Sequence, residues 1–140
     1  MILYCDTSAL VKLYVQESDS EKVSGLSDDA QAVAVSRIAW AEAHSAFARR
    51  AREVSADAPA MELAKTALRD DWSAFMIVEV TQDLVELAGE YADIFALRAY
   101  DSVQLAAAFE VARISQTPTP FGSFDLRLNK AAKALGLAII

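Results

Sequence analysis

Cysteine and histidine each occur once in this chain, as Cys5 and His44. A lone cysteine closes no internal disulfide, and its place in an apolar run makes it a small core residue of a reducing compartment. With no cysteine and histidine set there is no zinc site. Without a second histidine or a strong thiol nucleophile there is also no Ser/His/Asp chemistry. His44 itself stands two positions from Glu42, projects from a different helix face, and is expected to be packed or solvent-facing. Long apolar runs are missing too. The strongest, Trp72 to Val78 and Val103 to Phe109, fall far short of the roughly 20 residues a bilayer span needs. Asp6 interrupts the N-terminal stretch before a signal-peptide apolar region is complete, and no basic leader precedes it, so cytoplasmic residence is expected. Positive charge is the minority, with 13 Lys and Arg against 20 Asp and Glu and a net charge of −7. That balance excludes holding nucleic acid through an overall basic face.

Apolar residues make up 54% of the 140 positions, well above a disordered composition, and the length suits one domain spanning residues 1–140. Ile2 to Cys5 reads as a short buried strand that stops at the capping types Asp6, Thr7 and Ser8, with a helix to follow through Leu10 to Val15. Ser18 to Leu26 reads as a short helix, Ala32 to Val35 as a second strand with Ser36 as cap, and Arg37 to about Val54 as a strong helix. Ser55 to Pro59 interrupts, and a helix from about Ala58 to Phe75 follows. Met76 to Val80 is a third strand. Thr81 caps a helix to about Ala96, and Tyr100 to Ile114 is an alanine-rich helix. Thr117 to Pro120 is a loop, Phe121 to Phe124 a weak strand, Asp125 to Leu135 a helix closed by Gly136, and Leu137 to Ile140 a final strand. Short apolar strands alternating with helices predict an α/β three-layer sandwich, a small parallel sheet of four to five strands between helices.

In such sheets ligands sit beyond the carboxyl ends of the strands, where helix N-termini point. Four acids fall there. Asp6 ends strand one, Glu42 lies about two turns into the helix after strand two, Asp101 opens a helix and Asp125 ends the strand after the proline loop. Glu42 is the only charge between Arg37 and Arg49, and Asp101 the only one between Arg98 and Glu110. The other acids, such as Asp28 with Asp29 and Asp70 with Asp71, read as solvated surface.

Each acid has an ordinary explanation: Asp6, Asp101 and Asp125 as N-caps, Glu42 as the partner of Arg49 one heptad on. Together they are harder to dismiss. Carboxylates about 4 Å apart repel by roughly 4 kcal/mol at an effective dielectric of 20, so a cluster calls for a counter-charge. Magnesium or manganese supplies one, being hard ions that take carboxylate and water ligands and leave positions for phosphate oxygens. The chemistry this predicts is hydrolysis by metal-activated water. Thr7, Ser8 and Ser123 stand beside the acids, where their hydroxyls reach a carboxylate or a scissile phosphate. Arg49, Arg50 and Arg52 are candidate RNA-phosphate contacts, although cations at a helix C-terminal end are favoured in any case. Trp40, Phe47, Trp72, Phe75 and Phe109 read as core before base-stacking platforms.

The segments Ile2-Leu3-Tyr4-Cys5-Asp6-Thr7-Ser8-Ala9-Leu10-Val11-Lys12-Leu13-Tyr14, Glu42 in the third helix, Leu97-Arg98-Ala99-Tyr100-Asp101-Ser102-Val103-Gln104-Leu105-Ala106, and Ser123-Phe124-Asp125-Leu126-Arg127-Leu128 through Gly136-Leu137 together resemble the PIN-domain ribonucleases. Within that family they resemble in particular the VapC-type toxins of toxin and antitoxin pairs. The resemblance implies that Asp6, Glu42, Asp101 and Asp125 are the catalytic, metal-binding set, with Ser8 and Ser123 as near neighbours. It also implies a Mg²⁺- or Mn²⁺-dependent endoribonuclease, a homodimer, and a VapB-like antitoxin whose C-terminal segment occupies the groove.

Three rivals are weighed against it. A haloacid-dehalogenase-type enzyme needs a second aspartate two positions after the first, where Ser8 stands. A receiver domain places its phospho-accepting aspartate at the end of strand three, where the chain has Glu79-Val80-Thr81. The third is a catalytically silent PIN-like protein that binds RNA or an antitoxin without cutting.

Overall fold

β1 (Ile2–Cys5) is the second strand in from one edge of a four-stranded parallel sheet of order β3-β2-β1-β4, with β2 at Ala32–Ser36, β3 at Met76–Val78 and β4 at Phe121–Gly122. The computed structural model describes residues 1–140. Register pairs Leu3 with Val33, Val35 with Ile77 and Tyr4 with Phe121. The helices are α1 (Thr7–Lys12), α2 (Ser20–Asp29), α3 (Ala39–Glu53), α4 (Ala58–Asp71), α5 (Gln82–Phe95), α6 (Ala99–Ser115) and α7 (Leu126–Ala134). Short 3-10 turns at Ser55–Asp57 and Trp72–Ala74 flank α4.

Strand side chains alternate across the sheet, so β1 and β2, buried throughout most of their length, feed two cores. Ile2, Tyr4 and Ala34 face Leu84, Tyr91, Leu105 and Leu128 of α5, α6 and α7. Leu3, Cys5, Val33 and Val35 face Leu10, Val23, Phe47, Met61 and Leu68 of α1 to α4. The architecture is therefore helices, parallel sheet, helices. Cys5 is fully buried and its thiol is pushed up by burial first and by Asp6 second. No helix is long and apolar enough to cross a membrane.

The proline loop has a structural job that its composition hides. The amides of Ile2, Tyr4 and Asp6 donate to the carbonyls of Pro118 (3.0 Å), Pro120 (3.1 Å) and Gly122 (2.9 Å). Proline cannot donate in return, so no regular pairing precedes Phe121. After Gly122 the neighbouring β1 has ended at Cys5 and the Phe124 amide donates to the Ser8 hydroxyl, so the expected strand Phe121 to Phe124 is cut to its first half. Leu137 to Ile140 is likewise no strand: it touches the sheet through one bridge, Phe121 to Ile139. Gly122 has to be glycine, because a Cβ there would lie 2.9 Å from the carbonyl oxygen of Tyr4. Gly136 closes α7 at φ 83° while the amide of Leu137 reaches the carbonyl of Ala132 at 3.0 Å, the left-handed C-terminal cap its sequence position predicts.

One expected boundary near the site shifts. The Arg37 amide still bonds the carbonyl of Val78 at 2.9 Å, so α3 begins only at Ala39. Ser36 consequently does not cap it, and Glu42 sits in the first turn rather than about two turns in.

Candidate active site

All four acids stand at helix N-termini along the carboxyl edge of the sheet. Asp6 is the N-cap of α1, Glu42 and Asp101 lie in the first turns of α3 and α6, and Asp125 is the N-cap of α7. An anion there is favoured by unpaired amides and by the helix dipole, by about 0.3–1 kcal/mol each.

Asp6 is the deepest, 5% exposed. Its Oδ1 accepts from the Ser8 hydroxyl at 2.6 Å and the Ala9 amide at 3.0 Å. The Ser8 hydroxyl in turn accepts from the Phe124 amide at 2.9 Å, which ties α1 to the chain leaving β4. Burial pushes the Asp6 carboxyl up to about 6, while hydrogen bonds from Ser123, Ser8 and Ala9 draw it down and the charge of Glu42 raises it.

Glu42 is half-buried and bound on one oxygen only. Its Oε1 accepts from the Thr7 hydroxyl at 2.9 Å and from the Gln104 amide nitrogen at 2.8 Å. The other oxygen, Oε2, accepts no hydrogen bond. The alternative pairing of Glu42 with Arg49 does not form: every ion pair of the molecule, Lys12 with Glu17, Arg37 with Glu79, Arg50 with Asp57, Lys65 with Glu62 and Arg113 with Glu110, lies elsewhere. Burial raises the Glu42 carboxyl, its two hydrogen bonds lower it, and Asp101 raises it. Asp101 is raised by burial first and by Asp125 second, against a lowering by Arg98. Asp125 is exposed; its Oδ1 accepts from the Leu128 amide at 2.9 Å and its own amide donates to the Ser123 hydroxyl at 3.1 Å.

The acids thus feel one another in series, Asp6 to Glu42 to Asp101 to Asp125, with Arg98 the one cation acting on the set. They do not form a single knot. No three of them stand in position to ligate one ion directly, because Asp6 and Asp125 are turned into their caps and Glu42 is tethered to Thr7 and Gln104. An all-oxygen donor set, negative in sum and short of direct ligands, fits Mg²⁺ or Mn²⁺ held by one or two carboxylates and its own waters. It fits no ion that needs nitrogen or sulfur: His44 gives Nδ1 to the Trp40 carbonyl contact at 2.8 Å and stacks on the Trp40 ring at 4.6 Å.

Gln104 is the site residue that the sequence reading missed. It is 2% exposed, and it takes the Tyr4 hydroxyl on Oε1 at 2.6 Å while its nitrogen serves Glu42 and, at 3.2 Å, Thr7. Its signal was there, a lone amide inside the apolar run Val103 to Phe109. Gln104→Leu strands the Tyr4 hydroxyl in the core and is expected to cost about 1–3 kcal/mol in a denaturant melt. Adding Tyr4→Phe removes the stranded group, so the double variant is expected to regain part of that loss; purely additive effects would contradict the ladder.

A groove of about 730 Å³ opens beside Glu42, with Thr7, Ser8, Val11, Phe47 and Met61 among its walls and Arg49, Arg50, Tyr100 and Phe124 along it. Arg50 is occupied by Asp57 at 2.7 Å, and Arg52 is exposed outside the groove lining.

Comparison with known proteins places this geometry. A family model described as PIN domain matches residues 3–134. Ribonuclease VapC45 of Mycobacterium tuberculosis is 33% identical over 138 residues, 99% of this chain and 94% of that protein. Two solved structures share the fold. VapC20 of Mycobacterium tuberculosis, a sarcin-ricin loop cleaving toxin, superposes with TM-score 0.64 at 20% identity over 92% of this chain and 94% of its own. A toxin-antitoxin complex from Klebsiella pneumoniae gives 0.57 at 20% identity over 86% and 84%.

Proposed function

This chain belongs to the PIN-domain family, and from that premise we propose that it is a metal-dependent endoribonuclease of the VapC toxin type, cutting RNA phosphodiester bonds with an activated water and restrained by a cognate antitoxin. The observation that carries the reading is the buried carboxylate of Asp6, raised to about 6, standing in series with Glu42 and Asp101 with no ion-pair partner for any of them. Structural carboxylates at this depth are ordinarily paired.

Asp6, Glu42 and Asp101, with Asp125 at the rim, would hold Mg²⁺ or Mn²⁺, which when bound supplies counter-charge and lowers the pKa of a coordinated water. The protein's own part is positional. Ser8 and the Ala9 amide fix one oxygen of Asp6. Thr7 and Gln104 fix one oxygen of Glu42, so its free oxygen has a set direction before any ligand arrives. The Ser123 hydroxyl accepts from the Asp125 backbone amide and so helps fix that residue, and Thr7 and Ser8 line the groove beside Glu42. The half-apolar groove beside Glu42 suits an antitoxin segment, whose presence would deny RNA the same space. A cytoplasmic homodimer completes the reading.

Purified protein freed of partner is expected to cleave total RNA endonucleolytically in Mg²⁺ or Mn²⁺ and to stop on chelation. RNA left intact in both ions would contradict the proposal, and the catalytically silent alternative would then stand. Sequencing the new 5′ ends would give the target.

A further inference from the structure

An acidic catalytic edge repels the polyanion it is meant to cut, so a local positive surface has to lie next to it if RNA is the substrate. The chain has few cations to spare for this. Lys12, Arg37, Arg50, Lys65 and Arg113 are taken by ion pairs, and Arg98 acts on Asp101. Lys22, Arg52 and Arg69 each sit next to an acid in sequence, at Glu21, Glu53 and Asp70, and Arg49, exposed and unpaired on the groove beside Glu42, is a single free charge with its neighbour Arg50 taken by Asp57.

α7 is different. After Asp125 the chain contains no further Asp or Glu, and its remaining charges are Arg127, Lys130 and Lys133. All three are exposed and none is paired. Leu128, Ala131 and Ala132 bury the opposite face of the helix, which fixes the cations as one solvent-facing ridge at i, i+3 and i+6. Helix stability does not explain this pattern. Lys133 in the last turn is favoured by the dipole, but Arg127 is the second residue of the helix, where a cation is disfavoured. Six residues at 1.5 Å rise make the ridge about 9 Å long. A stacked strand advances about 3.4 Å per phosphate, so three cations match about three consecutive phosphates.

We propose that the Arg127, Lys130 and Lys133 ridge of α7 carries the phosphate backbone of RNA away from the acidic edge, beginning one residue pair beyond Asp125. The proposal rests on the ribonuclease reading and names where its substrate lies. The contacts are to phosphate and carry no sequence preference. An acidic protein segment is the other class of ligand such a ridge attracts, and the test separates it.

The test uses the full chain carrying Asp6→Asn, to prevent cutting, in Mg²⁺ with a fluorescein-labelled random-sequence 20-nucleotide single-stranded RNA, followed by anisotropy over a KCl series. Replacing the three cations together (Arg127→Gln, Lys130→Gln, Lys133→Gln) is expected to weaken binding at least about tenfold at low salt. The slope of log Kd against log salt is expected to fall by about 2, since each phosphate on a single strand contributes roughly 0.7. With the catalytic acids intact, the triple variant is expected to raise KM for RNA and leave kcat within about twofold. Unchanged affinity and slope would overturn the proposal and leave the ridge to a protein ligand or to solvent. An equal loss from Lys22→Gln, Lys65→Gln and Arg69→Gln would also overturn it, by showing that net charge rather than place is what counts. Failure of the wild type to cut RNA in either metal would sink the ribonuclease reading itself, while the anisotropy comparison would still judge the ridge.

Discussion

Asp6→Asn is expected to lower RNA cleavage by at least about a hundredfold while leaving the fold in place. The substitution removes a charge and keeps the geometry. Asparagine retains the oxygen that accepts from Ser8 and from the Ala9 amide, and it is as good an N-cap as aspartate. Replacing even a residue that only supports a metal ligand typically costs 10–100-fold, so loss of the deepest carboxylate sets a floor near the upper value. Glu42→Gln and Asp101→Asn are expected to fall similarly, Asp125→Asn less, because Asp125 is exposed and holds the cap of α7. Circular dichroism and matched RNA digests check this. Cleavage by Asp6→Asn at the wild-type rate would remove the proposed site.

The same substitution is expected to stabilise the metal-free protein, the reverse of what deleting a native contact normally does. Burial raises the Asp6 carboxyl from 3.8 to about 6 in the folded chain. Between those values the native state holds a proton that the unfolded chain has lost, so the native state is favoured below the lower value. That advantage drains away as pH rises through the upper one. Above pH 7 an ionised Asp6 therefore costs on the order of 2–3 kcal/mol relative to an unperturbed carboxylate. In chelator at pH 7.5, Asp6→Asn is expected to melt roughly 10 °C higher than wild type, and near pH 3.5 the two curves should coincide. Glu42 and Asp101 are raised by burial too, so their amide variants carry the same sign. A metal-free wild type more stable than Asp6→Asn at pH 7.5 would mean that Asp6 already has a compensating partner.

Much of the architecture was readable because strand ends and caps are local signals. Ile2–Cys5 is four apolar residues halted by Asp6, and the structure buries every one of them and caps α1 with that aspartate. Gly136 marked the end of α7 for the same local reason. Pairing is not local, and the reading faltered where it mattered. Phe121 to Phe124 has strand-forming residues, but how far it pairs depends on β1 ending at Cys5 and on Ser8 taking the Phe124 amide. Leu137 to Ile140 is as apolar as a strand and makes a single bridge.

The site divides along the same line. That Asp6, Glu42 and Asp125 share one edge follows from strand-to-helix turns, which a sequence marks plainly; Asp101 arrives there from a helix-to-helix turn between α5 and α6. Which atoms fasten them does not follow. Heptad spacing offered Arg49 to Glu42, whereas the fold supplies Thr7 and Gln104, residues 35 and 62 positions away in the chain. Glu42 also proved nearer its helix start than expected, since Arg37 was spent on β3. The acids line up as neighbours rather than closing on a point, so an ion held there would keep much of its water.

Titration of Mn²⁺ into the metal-free protein, followed by electron paramagnetic resonance of the free ion and by the melting temperature, tests the shared cation seat most directly. Wild type is expected to bind Mn²⁺ and to melt higher as it fills, while Asp6→Asn and Glu42→Gln bind at least about tenfold more weakly and gain little. Equal binding and equal thermal gain in all three proteins would place the ion elsewhere and contradict the account.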